Sequence, residues 1–507
     1  MAFIFYFLYA LWTIASLCLF IYVIQELILL RAAFRTSKLP TVSPLQELPM
    51  VTVQLPLYNE KYVAARLIDA ICAMDYPREL LDIQVLDDSG DETVDIVAAK
   101  VAAYRQQGFH IAHLRRGERT GFKAGALHYG MATARGNFIA IFDADFLPAK
   151  DFLQRSLPYF EDAGVGVVQS RWGHINQEYS ILTRAASVML NMHFFLEQAG
   201  RYNSRAFINF NGTAGIWRRS CMEDAGGWHT DTLTEDLDLS YRAQIKHWKF
   251  IYLYNLVSPA ELPVTLDAYK TQQFRWSKGA AECVRKNMRA LWQSDAKLST
   301  KLFGSFHLLN SSVYFIVLLL ILVTPILLWL ESFTGLPMPL AQPFYVMNMV
   351  VMICIPLVFW ITNAVVQGGG WWRQLRYLAA VYFLLCMSMG ISLYMVKGIL
   401  EGYRGKVSGF IRTPKYNVSG STRLRVATAY FSKKDGDLFW AETLLFLLGF
   451  VVIYIGIDLR MPYILNYGIM IGIGFGCKLL LPHYDFRNIF SRQRFRQQPA
   501  DKHTLRR

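Results

Sequence analysis

The sequence predicts a water-soluble α/β domain, a sheet covered by helices on both faces, spliced between α-helical transmembrane segments. Three observations predict it. Apolar stretches of membrane-crossing length lie at 3–30, 306–330, 343–366, 376–400, 442–459 and 462–481. Between the first two, residues 50–300 alternate charges, turn residues and short β-branched runs, with helical patterns between the runs. Composition agrees: of 507 residues, 53% are hydrophobic and 18% charged, and the mean hydropathy is +0.24. This excludes a disordered chain. It also argues against three soluble domains of about 150 residues each.

The stretch from Phe3 to Leu30 is nearly uncharged and ends at Arg31, Arg35 and Lys38. It is too long for a signal-peptide core and lacks a small-residue cleavage pattern, so it reads as a transmembrane helix. Its basic flank puts the following domain in the cytoplasm. The net charge of +14 fits basic cytoplasmic loops rather than a nucleic-acid partner. The 331–342 loop has no Lys or Arg and suits the outside. The 401–441 loop (Arg404, Lys406, Arg412, Lys415, Arg423, Arg425, Lys433, Lys434) and the tail from Arg487 to Arg507 suit the cytoplasm. Three full crossings between 300 and 401 would put the basic loop outside. The segment 376–400, with Lys397 and Glu401, is therefore expected to be an interfacial or re-entrant helix. The expected organisation is a membrane helix in 1–35, the α/β domain in 45–300, membrane helices in 301–400, a cytoplasmic loop in 401–441, a membrane hairpin in 442–485 and a basic tail in 486–507. Seven scattered cysteines without a CxxC pair give no disulfide framework and no zinc site, as in a reducing compartment.

Within the domain, Met50–Leu57 is a β-branched run followed by Tyr58-Asn59-Glu60. A helix is expected from Val63 to Met74. Ile83–Leu86 reads as a second strand ending in Asp87-Asp88-Ser89, and Phe138–Phe142 as a third ending in Asp143-Ala144-Asp145. Strand–helix–strand alternation implies a parallel sheet, and ligands gather at the carboxyl ends of such strands. The two acidic clusters can therefore converge in one crevice.

That placement suggests sugar-nucleotide chemistry. Carboxylates alone would repel a diphosphate. Mg²⁺ or Mn²⁺ held by Asp143 and Asp145 would resolve this and act as Lewis acid for the departing nucleotide. Transfer to a hydroxyl also needs a base. Thr234-Glu235-Asp236 precedes an amphipathic helix at Leu237–Ile245, and crowding by Glu235 and Asp238 is expected to raise the pKa of Asp236. In Gln272-Gln273-Phe274-Arg275-Trp276, Gln272 and Arg275 share a helix face. Arg275 can fork onto a diphosphate, and Trp276 offers a flat surface to a sugar ring.

These motifs resemble those of the processive, membrane-embedded family 2 glycosyltransferases, the cellulose, hyaluronan and chitin synthases. The shared pattern is Asp87-Asp88, Asp143-x-Asp145, Thr234-Glu235-Asp236 and Gln272-x-x-Arg275-Trp276. Stretches such as QVLDDSGDET (84–93), GFKAGAL (121–127), FNGTAGIWRR (210–219) and ELPVTLDAYKTQQFRWSKG (261–279) bring it nearest to the cellulose-synthase-like A and C group of mannan and glucan synthases. The resemblance implies a GT-A domain, a Rossmann-type mixed sheet with helices on both faces. It also implies inverting transfer from a nucleotide sugar to a β-linked chain. It gives Asp87, Asp88 and Lys123 to the nucleotide sugar, Asp143 and Asp145 to the metal and diphosphate, and Asp236, beside Glu235, to base catalysis. Gln272, Arg275 and Trp276 would hold donor and acceptor terminus. Asn211, Gly212 and Thr213 would lie on the acceptor side, where cellulose synthases carry Cys in place of Asn211. A gating loop with Phe-x-Val-Thr-x-Lys is matched by Phe410-Ile411-Arg412-Thr413-Pro414-Lys415, with Arg412 replacing Val. Thr413 and Lys415 would then meet the donor.

The expected activity is hexosyl transfer from UDP-glucose or GDP-mannose to a growing β-glucan or β-mannan, with the polymer secreted through the membrane region. The alternative is a single transfer to a membrane lipid, as in ceramide glucosyltransferases. A transporter leaves the 250-residue domain unexplained. The membrane would be the bacterial inner membrane, or the Golgi membrane in a eukaryote. Membrane lipids are expected partners; the motifs do not fix an oligomeric state.

Overall fold

The computed structural model describes residues 1–35, 39–417 and 438–481. Lys38, Arg423, Arg425, Lys433, Lys434 and the basic tail of the sequence reading lie outside the described residues. Helix α1 (Ala2–Ala33) precedes the domain. Its sheet has seven strands: β1 (Val51–Leu57), β2 (Leu81–Asp87), β3 (His110–Leu114), β4 (Phe138–Ile141), β5 (Val165–His174), β6 (Gly215–Arg218) and β7 (Lys249–Ala260). The order is β3-β2-β1-β4-β6-β5-β7. The first four strands are mutually parallel, as are β5 and β7. Strand β6 runs antiparallel to both β4 and β5.

The sheet is thus the mixed one that the resemblance implied. The parallel reading holds for the first four strands and fails at β6. After β5 the chain makes a helical excursion through α6 (Ile181–Asn191), a π-helical stretch (Met192–Gln198) and α7 (Ala199–Asn203). It returns at the edge it left, so β6 must run back against its neighbours, and Asn211-Gly212-Thr213 arrives beside the end of β4.

Helices α2 (Ala64–Cys72), α3 (Thr93–Gln106), α4 (Phe122–Met131), α5 (Phe152–Ser156), α8 (Arg219–Asp224) and α9 (Glu235–Ile245) complete the layers. Strands β1 and β2 are almost wholly buried because both faces are covered. One apolar core contains Val53, Leu67 and Phe152; the other contains Ile139, Val167 and Trp217.

Two long helices lead away: α10 (Leu266–Gln293), capped by the Thr265 side chain accepting from the Ala268 amide, and α11 (Leu298–Leu309). Helices α12 (Val313–Thr334), α13 (Ala341–Gln367), α14 (Trp371–Tyr403), α15 (Phe439–Asp458) and α16 (Pro462–Leu480) follow. Among the described residues six helices are long and apolar enough to cross a membrane: Ala2–Ala33, Leu298–Thr334, α13, α14, α15 and α16.

Helix α14 is one unbroken helix of 33 residues, so the re-entrant form of the expectation does not hold. It lies against the α/β domain from end to end. Near its start Tyr377 donates to Glu178 (3.0 Å), just before it Gln367 bonds to Gln177, and its middle residues Met387, Ile391 and Met395 share the core of Trp217. Near its end Glu401 accepts from Lys278 of α10 (3.2 Å). A Cβ on Gly402 would come within 2.6 Å of the Lys278 carbonyl oxygen, so only glycine allows this approach.

Candidate active site

The carboxyl ends of β1, β2 and β4 face a cavity of about 190 Å³. It lies where the chain order reverses between β2-β1 and β4, the usual place for a ligand in such a sheet. The Asp143 amide donates to Thr213 Oγ1 (2.8 Å), and its carboxylate sits 2.6 Å from Lys123 Nζ. Lys123 also donates to the Gly212 carbonyl (2.9 Å). Gly212 has φ +76°, and a Cβ there would lie 3.0 Å from Asp236 Oδ2. The Asn-Gly-Thr turn thus clasps Lys123 and Asp236 against each other. Motifs from four separate stretches meet within contact distance.

Helix α9 starts two residues earlier than the hydrophobic pattern indicated, with Thr234 at its N-cap. Glu235 and Asp236 therefore occupy its first turn, and the Leu237 amide donates to Asp236 Oδ1 (2.9 Å). Burial, then the neighbouring Glu235, push the Asp236 carboxyl up to about 7, against the opposing pull of Lys123. Burial also raises Glu235. Burial would lower Lys123, but Asp143 and Glu235 outweigh it and hold its pKa up. The expected crowding by Asp238 is corrected. Two residues on along a helix points the side chain away, and Asp238 bonds Arg242 (2.9 Å) and Asn287 (3.0 Å) instead.

Asp145 accepts from the Glu261 amide (2.9 Å) and from Lys415 Nζ (2.7 Å). Asp88 lines the cavity and is held by Arg116, whose Nε donates at 2.9 Å. Asp87, expected at the nucleotide, does not line this cavity. Alternation along the strand turns it to the other side, where it is 1% exposed and bonded to His113 Nε2 (2.9 Å) and the Ser89 amide (2.9 Å). Burial would raise its pKa, but these bonds hold it below the usual carboxylate value. Thr213 is corrected too. It is fully buried and spends its hydroxyl on the Asp143 amide, so it positions the DxD rather than touching an acceptor.

Gln272, Arg275 and Trp276 line the cavity from α10. Burial lowers the pKa of Arg275. The 410–415 segment closes one wall. Phe410 packs on Phe122 and lies 4.4 Å from the Arg275 guanidinium. Arg412 donates to the Tyr58 carbonyl (2.9 Å) and pairs with Glu60 (3.5 Å). Thr413 lines the cavity with a buried hydroxyl that has no hydrogen-bond partner among the described residues.

Two lining carboxyls were not singled out from the sequence. Glu60 lies just past β1 and Glu261 just past β7, so the strand-end logic that found the aspartates applies to both. Burial pushes Glu60 up to about 8, and it raises Glu261. Asp143 and Asp145 offer hard oxygen donors beside this acidic group, a donor set that fits Mg²⁺ or Mn²⁺. Lys123 and Lys415 supply the positive charge next to them. A separate cluster, His229, Asp231 and Asp238, already surrounds the Lys286 ammonium at 2.8, 2.6 and 3.1 Å.

A second cavity, of about 1070 Å³, begins at Asp236 and Trp276 and passes between α1, α12, α13, α14 and α16. Trp12, Tyr345 and Tyr463 line its far part.

Residues 49–279 match the family model described as glycosyltransferase like family 2. Glucomannan 4-beta-mannosyltransferase 9 of Arabidopsis thaliana is 37% identical over 389 residues, which cover 75% of this chain and 69% of that protein. "Probable glucomannan 4-beta-mannosyltransferase 4" of Oryza sativa subsp. japonica is 38% identical over 326 residues, covering 63% of this chain and 58% of the relative. The chain thus spans about three fifths of the length of the first curated relatives it matches. A solved mannosyltransferase, PcManGT from Pyrobaculum calidifontis in complex with GDP-Man and Mn²⁺, aligns over 79% of this chain and 100% of its own, with a TM-score of 0.52 and 20% identity, and so shares the fold. The family match, and a relative covered over more than two thirds of its length, settle membership: the chain belongs to the family 2 glycosyltransferases, with cellulose-synthase-like glucomannan mannosyltransferases among its relatives.

Proposed function

We propose that the protein transfers hexosyl units, with inversion, from GDP-mannose or UDP-glucose to the non-reducing end of a growing β-linked mannan or glucan, and passes the polymer through its own membrane region. The observation that carries this reading is the cavity of about 1070 Å³ that starts at Asp236 and Trp276 and continues between the membrane helices. A lipid acceptor would also need room for its tail beside the base; the length of the cavity, which runs on to Trp12, Tyr345 and Tyr463, favours a polymer. The named relatives and the GDP-Man complex of PcManGT favour a mannosyl donor.

In this reading Asp236, with its carboxyl near neutrality, takes the proton of the acceptor hydroxyl as that oxygen attacks the donor sugar. Gly212 lets the acceptor-side turn approach the base, and Asn211 faces the same space. Trp276 stacks on the acceptor's terminal ring. Lys123, Arg275, Thr413 and Lys415 face the donor phosphates, with Gln272 and Asp88 completing the donor side. Asp143 and Asp145 would hold Mg²⁺ or Mn²⁺, which when bound supplies Lewis-acid stabilisation of the leaving diphosphate.

The domain lies on the cytoplasmic side, of the inner membrane in a bacterium or of the Golgi in a eukaryote. Helix α14 runs along the membrane surface beneath it rather than across, supported by its contacts with Glu178 at one end and Lys278 at the other. Membrane lipids surround the remaining spans. Purified protein with labelled GDP-mannose or UDP-glucose and Mg²⁺ or Mn²⁺ should yield β-linked polymer. A product consisting only of single-sugar glycolipid would overturn the reading.

A further inference from the structure

The large cavity holds a group that the chemistry above leaves unused. Glu26, two turns before the end of α1, is 4% exposed, and among the described residues neither carboxyl oxygen has a hydrogen-bond partner. It lines the cavity that begins at Asp236 and Trp276. A buried carboxyl without partners is costly, and inside a membrane region it marks a functional position by default.

Most of its polar neighbours bond one another, while the buried Arg201 Nε, like Glu26, has no partner among the described residues. Tyr22, one turn earlier and next to the Glu26 carboxyl, donates its hydroxyl to Asn310 Oδ1. The Asn310 amide donates to Glu197 Oε1 (3.0 Å), and Glu197 Oε2 is 3.2 Å from both Arg201 Nη1 and His193 Nδ1. The other ring nitrogen of His193 lies 2.8 Å from Asn211 Oδ1. A continuous polar chain therefore leads from the acceptor-side turn to Tyr22 on α1, and Glu26 stands beside its far end. A ligand that completes Glu26 from the cavity brings hydrogen-bond donors. A pyranose ring brings vicinal hydroxyls to Glu26, and the aromatic walls further along at Trp12 and Tyr345 suit the apolar faces of later units of a chain. A lipid tail brings no donor.

We infer that Glu26 is an acceptor subsite: its carboxyl binds ring hydroxyls of a hexosyl unit inside the growing chain, beyond the unit that reacts at Asp236. This rests on the polymer reading above. It makes α1, distant in sequence from every motif, part of the acceptor site.

The test uses the full chain with saturating labelled donor and β-linked hexose oligosaccharides of increasing length. Glu26→Leu is expected to raise KM at least tenfold for acceptors long enough to reach the site and to shorten the polymer. Its donor KM and its donor hydrolysis without acceptor should match the parent protein. Glu26→Gln, which keeps hydrogen-bonding capacity, should fall between the two, and it carries the test if the Leu variant does not fold. Unchanged acceptor KM and product length overturn the inference, as does an equal rise for the shortest and longest acceptors. A parent protein that makes only single-sugar glycolipid overturns the polymer reading, and this inference with it.

Discussion

Asp236 concentrates the chemistry in one carboxyl, and its environment makes pH a direct probe. The folded protein releases this proton near 7, against an ordinary value of 3.8. Below 7 the base is protonated, so transfer should fall as pH drops through that value, with donor binding less affected. Between about 4 and 7 the folded state holds a proton that the unfolded chain has lost, so stability falls as pH rises through this window. Asp236→Asn removes that penalty. The variant should lose about 10²–10⁴-fold in transfer rate, keep donor affinity and melt no lower than the parent at neutral pH. An active Asp236→Asn enzyme would refute its role as base. Trp276→Ala should abolish transfer without changing the melting temperature, whereas Trp276→Phe keeps a ring face and should retain partial activity. A residue acting only as a membrane anchor would show no such split.

At the level of elements, the site depends on how the 410–415 segment and α14 dock on the domain. Lys415 reaches Asp145 and the Glu261 carbonyl (3.0 Å), so one side chain joins the loop to two strand ends. Lys415→Met should raise the donor KM about tenfold, roughly one charge-assisted hydrogen bond of 1.5–3 kcal/mol, and leave the acceptor KM unchanged. An acceptor effect of equal size would move Lys415 out of the donor site. The α10–α14 contact rests on close backbone approach. Gly402→Val would drive a methyl into the Lys278 carbonyl and Ala281, and overpacking of this kind costs about 1–3 kcal/mol. A lower melting temperature together with lost activity is the expected outcome. An unchanged melt would show that the contact does not bear on folding.

Across the whole molecule, the arrangement is a catalytic sheet seated on a membrane bundle, with α14 as the shared layer. If α14 lies along the surface, residues 368–370 and the α/β domain share one side of the membrane, and the 335–337 turn lies on the other. Cysteines placed at Gly370 and Pro337, compared with the unsubstituted protein, should label oppositely with an impermeant maleimide in sealed vesicles. Labelling of both from one side would place α14 across the bilayer.

The aspartates, the Gln-x-x-Arg-Trp motif and the membrane segments were legible because each depends on local pattern: a strand end, a helix face, an apolar run. The strand-end rule reached Asp143 and Asp145 and could have reached Glu60 and Glu261. It could not tell Asp87 from Asp88, because which of two adjacent side chains enters the crevice is set by the pleat and its neighbours. Nor could it show that Thr213 supports the Asp143 amide, that Asp238 turns away to Arg242, or that β6 runs backwards. The placement of Glu26 in the same cavity as Asp236, 210 positions along the chain, had no local signal at all. Local propensity and hydrophobic period act over a few residues, so the sequence alone determined the segments and their chemistry. Which side chains face one another follows from packing between distant segments, and only the tertiary structure decided that.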